Sequence, residues 1–186
     1  MTITYVLLGV LVLIALWAIG SYNHFVTLLQ RCKEAWADID VQLKRRYDLI
    51  PNLVEAVKGY AAHEKEAFEN VTTARAAAMD AGGMAQKAKA EDALGASLGR
   101  LIAIAEAYPD LKANQNFLEL QRELSDTENK IQSARRFYNG NVRDLNTSLQ
   151  TFPGSVVANF FHFEPRDFFE IADANAAERE PVAVKF

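Results

Sequence analysis

Cysteine and histidine, which serve as zinc ligands, nucleophiles and general bases, are scarce in this sequence. The only cysteine is Cys32, which excludes an internal disulfide framework and, on the apolar side of a predicted helix, indicates a small buried residue. His24, His63 and His162 lack metal-site spacing, and the pair His63-Glu64 has alanine, not a second histidine, four residues after His63. We therefore predict no metal site, no cofactor and no catalytic residue.

Charge is absent from the start of the chain. Between Met1 and Gln30 there is no Asp, Glu, Lys or Arg, so all 24 acidic and 20 basic residues, and the net charge of −4, belong to the remainder. That remainder mixes both signs and has no basic stripe, which argues against a nucleic-acid partner. Nothing in the pattern points to a small-molecule substrate.

What the N-terminal segment does have is an uninterrupted apolar run, Ile3–Gly20, long enough to cross a bilayer as a helix. Tyr5, Trp17 and Tyr22 flank it as interfacial aromatic residues. We predict that residues 1–22 are a single-pass membrane anchor. Two alternatives are a cleaved signal peptide, which would have a basic start and a shorter apolar region, and a buried core helix, which would have a polar face.

The orientation of the anchor follows from the charges beside it. Arg31 and Lys33 come after the apolar run, and no basic side chain precedes it. The positive-inside rule then predicts a cytoplasmic soluble domain and an external N-terminus.

The rest of the chain has the apolar period of helices. Residues recur at three- and four-residue steps in four segments, which predicts an all-α fold: an antiparallel up-down-up-down four-helix bundle over residues 23–163, continuous with the anchor. The first helix is predicted to end near Tyr47, with Asp48 as N-cap and Pro51 in the first turn of the second helix. Gly82-Gly83 is predicted to end the second helix.

The later elements are marked by turn residues. Tyr108-Pro109-Asp110 is predicted to stop the third helix, and the fourth to run from Phe117 to Phe152. Ser155 is the expected cap of a short helix that follows. Residues 164–186 are acidic and poorly patterned, and they are predicted to form a mostly disordered tail.

The segment Ile39–Val54, which reads IDVQLKRRYDLIPNLV, resembles the signature of the LemA family. Tyr22-Asn23, Ala134–Asn139 (ARRFYN) and Phe152-Pro153 fit the same pattern. The resemblance implies a single-pass protein with a helical bundle on a membrane anchor, associated with bacterial membranes and without established catalytic residues. We therefore expect the bacterial inner membrane as its location.

Lys44, Arg45 and Arg46 form the densest basic run, and Asp48 follows it. One interpretation is structural: cations near a helix C-terminus are favoured by the macrodipole. The other is a distal site for a protein partner. Lipid binding is disfavoured because about 27 helical residues, roughly 40 Å, separate the run from Gly20.

Arg135, Tyr138 and Asn139 share one face of the fourth helix. They are predicted to form a buried polar network that joins helices, or to select the register between helices or subunits. Trp36 is expected in the core.

Five phenylalanines near the C-terminus are expected beside Tyr22 and Phe25, at the membrane end of the bundle. Either they close the bundle end, or they contact the membrane surface or a neighbouring subunit. Substitution of Phe160 and Phe161 is expected to affect folding. Substitution of Phe168 and Phe169 is expected to weaken assembly or membrane association more than folding. The five are Phe160, Phe161, Phe163, Phe168 and Phe169.

These features favour a non-catalytic, membrane-anchored scaffold that self-associates as a homo-oligomer, through coiled-coil-like helices, or organises other membrane proteins. The alternative is a membrane-tethered adaptor or sensory module that binds a protein or peptide through its distal loop or an interhelical groove. An enzyme is disfavoured because no carboxylate stands alone in an apolar stretch that would shift its pKa.

Overall fold

The computed structural model describes residues 1–170, which contain helices and no strand. The predicted all-α class is therefore confirmed for this part of the chain. The helices are α1 (Thr2–Lys58), α2 (Lys65–Asp80), α3 (Met84–Glu106), α4 (Pro109–Lys112), α5 (Gln115–Gln150) and α6 (Gly154–Phe160).

The N-terminal part of α1 is the one helical stretch within residues 1–170 that is long and apolar enough to cross a membrane. None of its most apolar 18-residue window is buried against the rest of the protein. The Leu11 side chain, for example, is 68% exposed. A helix with so many exposed apolar side chains would be costly to place in water. A core helix would be buried, so this exposure removes the core-helix alternative.

The described residues divide into two compact units. Among the described residues, unit 1 contains 1–40 and 133–168, and unit 2 contains 41–132, 169 and 170. Helices α1 and α5 each contribute residues to both. The domain limits predicted at 22 and 163 stay predictions.

The predicted break near Asp48 is wrong. Helix α1 continues through Pro51 to Lys58, and the turn lies at Gly59–Glu64. The apolar register explains this, because Tyr47, Ile50 and Leu53 are all buried within unit 2. Burying this face outweighs the disturbance that a proline causes inside a helix.

The hydrogen bond that Pro51 removes is replaced from another helix. Pro51 has no N–H to donate to the carbonyl of Tyr47, four residues earlier. The Arg75 side chain on α2 donates from Nε to that oxygen at 2.7 Å. The carbonyl is therefore paired although the intrahelical bond is missing, as a buried backbone acceptor requires.

This compensation gives a testable coupling. We expect Arg75→Ala to lower the free energy of unfolding by about 1.5–3 kcal/mol, since it removes a charged donor from a buried carbonyl. In a Pro51→Ala background the backbone N–H returns, so the same substitution should cost clearly less. Chemical denaturation of the four proteins of this double-mutant cycle measures the difference; equal costs in both backgrounds would show that the Arg75 bond does not substitute for the helical one.

In unit 2, α2 and α3 form a hairpin. Gly82-Gly83 connects them as predicted, and Gly83 has a positive φ of 82° that favours glycine. A second contact joins the ends of longer helices: the amide of Asn114, just before α5, donates to the hydroxyl of Tyr60, just after α1, at 3.2 Å. The start of α5 therefore lies beside the end of α1.

The ends of the later helices differ from expectation in detail. Pro109 stops α3 but opens the short helix α4, which was not predicted; proline suits a first turn because its missing N–H needs no partner there. Helix α5 is continuous across Gly140, as expected. Ser155 is not a cap, because α6 already begins at Gly154 and Pro153 occupies the N-cap position.

A non-helical segment, Glu164–Phe168, is fastened to α5 within unit 1. The Asn146 amide donates to the carbonyl of Arg166 at 2.8 Å and its oxygen accepts from the Arg166 N–H at 2.9 Å. The Tyr138 hydroxyl donates to the carbonyl of Asp167 at 3.0 Å. The first part of the predicted tail is thus held in place, and its remainder, residues 171–186, lies outside the described residues.

Candidate functional site

The predicted basic run does not act as one group. Lys44 and Arg45 are exposed, whereas Arg46 is only 3% exposed. The interpretation as C-terminal cations is wrong, because α1 continues to Lys58 and the run lies in the helix interior. Asp48 is exposed and is likewise inside the helix.

Arg46 lies at the centre of a charged network in unit 2. Its Nη1 donates to both carboxylate oxygens of Glu128 on α5, at 2.8 and 3.0 Å. Its Nη2 donates to Oε2 of Glu91 on α3. The Glu91 side chain is fully buried, whereas that of Glu128 is 44% exposed. One guanidinium therefore connects α1 to two other helices.

Tyr47, the next residue along α1, completes the network. Its hydroxyl donates to Oε1 of Glu91, while its own carbonyl receives the Arg75 bond. Both oxygens of the buried Glu91 carboxylate are thus paired, which is the condition for burying a charge at tolerable cost. The arrangement holds four helices together and leaves none of the buried carboxylate oxygens available for chemistry.

Sequence reasoning missed Glu91, Glu128 and Arg75. A signal for Glu91 did exist: it occupies the apolar register of α3, one step before Leu94 and Leu98, where a charged side chain has to be paired. No local pattern marked Glu128 or Arg75, because their partners lie far away in the sequence.

Electrostatics keep the arginine charged. Burial alone would lower the pKa of Arg46, but the carboxylates of Glu128 and Glu91 raise it overall. On the surface, the hydrogen bond from Lys130 lowers the pKa of Asp126, which also lies 3.9 Å from Arg45. The exposed pair contributes little to stability, whereas loss of either buried partner would leave an uncompensated charge inside the protein.

The predicted polar face of α5 is only partly buried. Arg135 and Asn139 are half-buried and Tyr138 is buried at 2%. The Tyr138 ring meets Trp36 edge-on at 5.5 Å, and burial raises its pKa. Trp36 is half-buried, so it is less of a core residue than predicted. A role of this face in register between helices or subunits stays a prediction.

Two of the five C-terminal phenylalanines, Phe161 and Phe163, lie beside Tyr22 and Phe25 on α1 as expected. The Tyr22 ring is 4.8 Å from the Phe161 ring and 5.5 Å from the Phe163 ring, and Phe25 is 5.3 Å from Phe163. Phe160 stacks edge-on against Phe161 at 5.0 Å. These are aromatic pairs of favourable geometry within unit 1.

Burial runs against the expected division of roles at Phe160 and Phe169, and the effects on folding and assembly stay predictions. Phe160, expected to matter for folding, is 75% exposed, and Phe169, expected at an interface, is completely buried. Phe161 and Phe168 are exposed at 48% and 45%. Phe160 is the last residue of α6, whereas Phe169 follows the segment that Asn146 and Tyr138 fasten to α5.

An open groove of about 450 Å³ lies next to this aromatic group in unit 1. Helix α1 forms one side and the end of α5 with the start of α6 forms the other. Its lining is mostly apolar and carries no acidic or basic side chain apart from one histidine. The lining residues are Trp17, Gly20, Ser21, His24, Phe25, Ser148, Thr151, Phe152, Pro153 and Gly154.

Comparison with known proteins assigns the family. The LemA family model matches residues 35–186, which is most of the chain. The chain belongs to the LemA family. The match includes the Arg46 network, and it begins after the apolar segment of α1.

LemA-family relatives are distant but extensive. The magnetosome protein MamQ of Magnetospirillum gryphiswaldense is 26% identical over 174 residues, covering 80% of this chain and 64% of that protein. MamQ 2 of Paramagnetospirillum magneticum is 24% identical with the same coverage. Protein LemA of Metamycoplasma hominis is 25% identical over 167 residues, covering 89% of this chain and 74% of that protein. The chain thus spans under two thirds of the magnetosome relatives' length.

Proposed function

We propose that this LemA-family protein is a non-catalytic scaffold, anchored in the bacterial inner membrane by α1, that self-associates or organises other membrane proteins. The observation that carries the proposal is the continuity of α1. Its exposed apolar start passes without a break into a helix whose later residues are buried in the protein. Such a helix joins a folded domain to a bilayer without a flexible linker.

Several features support the non-catalytic part. Within residues 1–170 no three His, Cys, Asp or Glu side chains are grouped to hold a metal ion. The buried charges of Arg46 and Glu91 pair with each other. Cys32 is buried, and burial raises its pKa, so the nucleophilic thiolate is disfavoured.

The domain is proposed to be an up-down-up-down four-helix bundle. Support comes from unit 2, where Arg46 of α1 bonds to α3 and α5 and Tyr47 reaches α2. Arg46 of α1 bonds to Glu128 of α5, and Tyr60, further along the chain, bonds to Asn114, which precedes α5. Residue numbers therefore rise along α1 in the direction in which they fall along α5. That is the direction of an antiparallel pair.

Self-association is supported by exposed apolar surface outside the bundle core. Phe137 on α5 is 58% exposed although it lies outside the segment proposed to be in the bilayer. Two relatives carry the name magnetosome protein, which adds support for a structural role at a membrane. Orientation is proposed from Arg31 and Lys33 alone: the domain faces the cytoplasm and the N-terminus lies outside.

Anchoring is tested with a substitution in the middle of the apolar run. We expect Leu11→Arg to shift the protein from alkaline-washed membranes into the wash, because arginine at a helix centre costs about 2.5–3.5 kcal/mol of insertion. Leu11→Ala, the matched control, should stay with the membranes, as should the unaltered protein with Met1 intact. A mature N-terminus between Trp17 and Tyr22 would instead identify a signal peptide.

The same membranes test assembly and orientation. Full-length protein extracted in mild detergent should sediment as a homogeneous assembly larger than one chain; a monomer would favour the adaptor or sensory function. A reporter cysteine at Arg143, with Cys32→Ser, should resist an impermeant thiol reagent in intact cells. Ready labelling would mean that the domain faces outward.

A further inference from the structure

The short helix α6 carries apolar side chains on its exposed side as well as on its buried side. Val157 and Ala158 are buried, whereas Val156 and Phe160 are exposed at 59% and 75%, and Phe152, just before the helix, at 79%. A helix on a water-facing surface normally carries polar residues on its outer side, and here Asn159 is the exposed polar residue. The exposed side chains of Phe152, Val156 and Phe160 are here named the α6 patch.

The sequence around the α6 patch also lacks charge. Between Asp144 and Glu164 there is no Asp, Glu, Lys or Arg. Moving an unpaired charge out of water is the largest cost of entering a low-dielectric layer, and this part of the chain does not carry that cost. The other long stretch without charge is the start of α1, from Met1 to Gln30.

These two uncharged stretches meet in unit 1. Phe152 lines the groove together with Trp17 and Gly20, where the apolar run of α1 ends. On the other side of α6, the Phe161 ring packs on Tyr22 at 4.8 Å. The α6 patch therefore lies beside α1 at the level of its interfacial aromatic residues.

The contact between α6 and α1 is close. At Gly154 an added Cβ would lie 3.3 Å from the Phe25 ring and 3.2 Å from the Ser148 carbonyl, so the glycine lets α6 approach α1. Because α6 is held this near to α1, the depth of α1 in a bilayer also determines the depth of the exposed side chains of α6. Trp17 is 41% exposed and Tyr22 39%, as suits rings at a membrane surface.

We propose that the α6 patch lies in the headgroup layer of the membrane crossed by α1, with its side chains in the acyl boundary. This rests on the anchoring proposed above. Lipid is favoured over a second copy because insertion of α1 brings this level of unit 1 to the bilayer surface, whatever the oligomeric state. The depth is that of an interfacial helix, about 5–10 Å. Two points of attachment would then restrict rotation of α1 and tilt of the domain.

The test uses full-length protein with Cys32→Ser in vesicles of phosphatidylcholine and phosphatidylglycerol. An environment-sensitive fluorophore is attached to Val156→Cys or Phe160→Cys, and, as the control, to Arg143→Cys on an exposed position of α5. We expect nitroxides near the lipid headgroup to quench the two α6 labels several-fold more than the control. Aqueous iodide should quench in the opposite order, and the α6 labels should emit further to the blue.

The outcomes separate the explanations. Equal lipid quenching at α6 and at the control would place the patch in water and overturn the proposal. Blue emission without lipid quenching, lost when the protein is diluted into excess lipid, would mean that a second copy covers the patch and would overturn it too. A label at Leu11→Cys reports the anchor independently. If nitroxides deep in the bilayer fail to quench the Leu11→Cys label, the proposed anchoring itself is wrong. If they quench it but headgroup nitroxides do not quench the α6 labels more than the control, only the α6 proposal is wrong.

Discussion

Replacing Glu91 with alanine is expected to lower the free energy of unfolding by about 3–5 kcal/mol, because it removes a fully buried partner of the buried Arg46 charge. Arg46 is 3% exposed and would keep one partner, Glu128, at the edge of the network. The Tyr47 hydroxyl would lose its carboxylate acceptor as well. Denaturant unfolding of the full-length protein in detergent micelles, followed by circular dichroism, measures the change.

Two further variants give the prediction its control. Glu128→Ala should cost only about 1 kcal/mol, since that carboxylate is 44% exposed and water can replace it. The double substitution Arg46→Met with Glu91→Leu should recover most of the loss, because an apolar pair needs no compensation for desolvated charge. If Glu91→Ala unfolds at the same denaturant concentration as the unaltered protein, the network has no role in stability.

Phe169→Ala is expected to destabilise the protein by about 3–5 kcal/mol, the usual cost of removing a fully buried phenylalanine ring. The ring has no exposed surface, although it lies beyond the last helix in a segment that the sequence predicts as tail. Its loss should leave a cavity and loosen the return of the chain along α5. The same unfolding measurement applies.

The matched control is Phe160→Ala, which removes the same ring from a position that is 75% exposed. Exposed substitutions of this kind usually change stability by less than about 0.5 kcal/mol. A comparable loss for both residues would contradict the burial difference on which the assignment of roles depends.

The sequence predicted the helices wherever the information was local. The apolar register identified the membrane-length segment and the long helix α5, even across Gly140. Hydrophobic periodicity and turn residues act over a few positions, so the chain itself carries these signals. The contacts of Phe161 and Phe163 with Tyr22 were also predictable, because an antiparallel last helix has to end near the start of the bundle.

What failed depended on partners far along the chain. Pro51 signals a break by itself, and only Arg75 supplies the missing donor. In the sequence, Arg46 is one of three similar cations, and its burial depends on the pairing with Glu91. Phe160 and Phe169 are the same residue type, and their different exposure depends on tertiary packing that the local sequence does not encode. Tertiary contacts decided each of these cases.

The way Asn146 and Tyr138 hold the segment before Phe169 has a consequence for sequence tolerance. They bind its main-chain groups: the N–H and carbonyl of Arg166 and the carbonyl of Asp167. Main-chain groups are common to nearly all amino acids, so the specificity of this contact resides in the side chains of α5 and not in the segment they bind. Positions 166 and 167 are therefore free to vary, except that proline at 166 would remove the donor, while Asn146 is the residue that has to be kept.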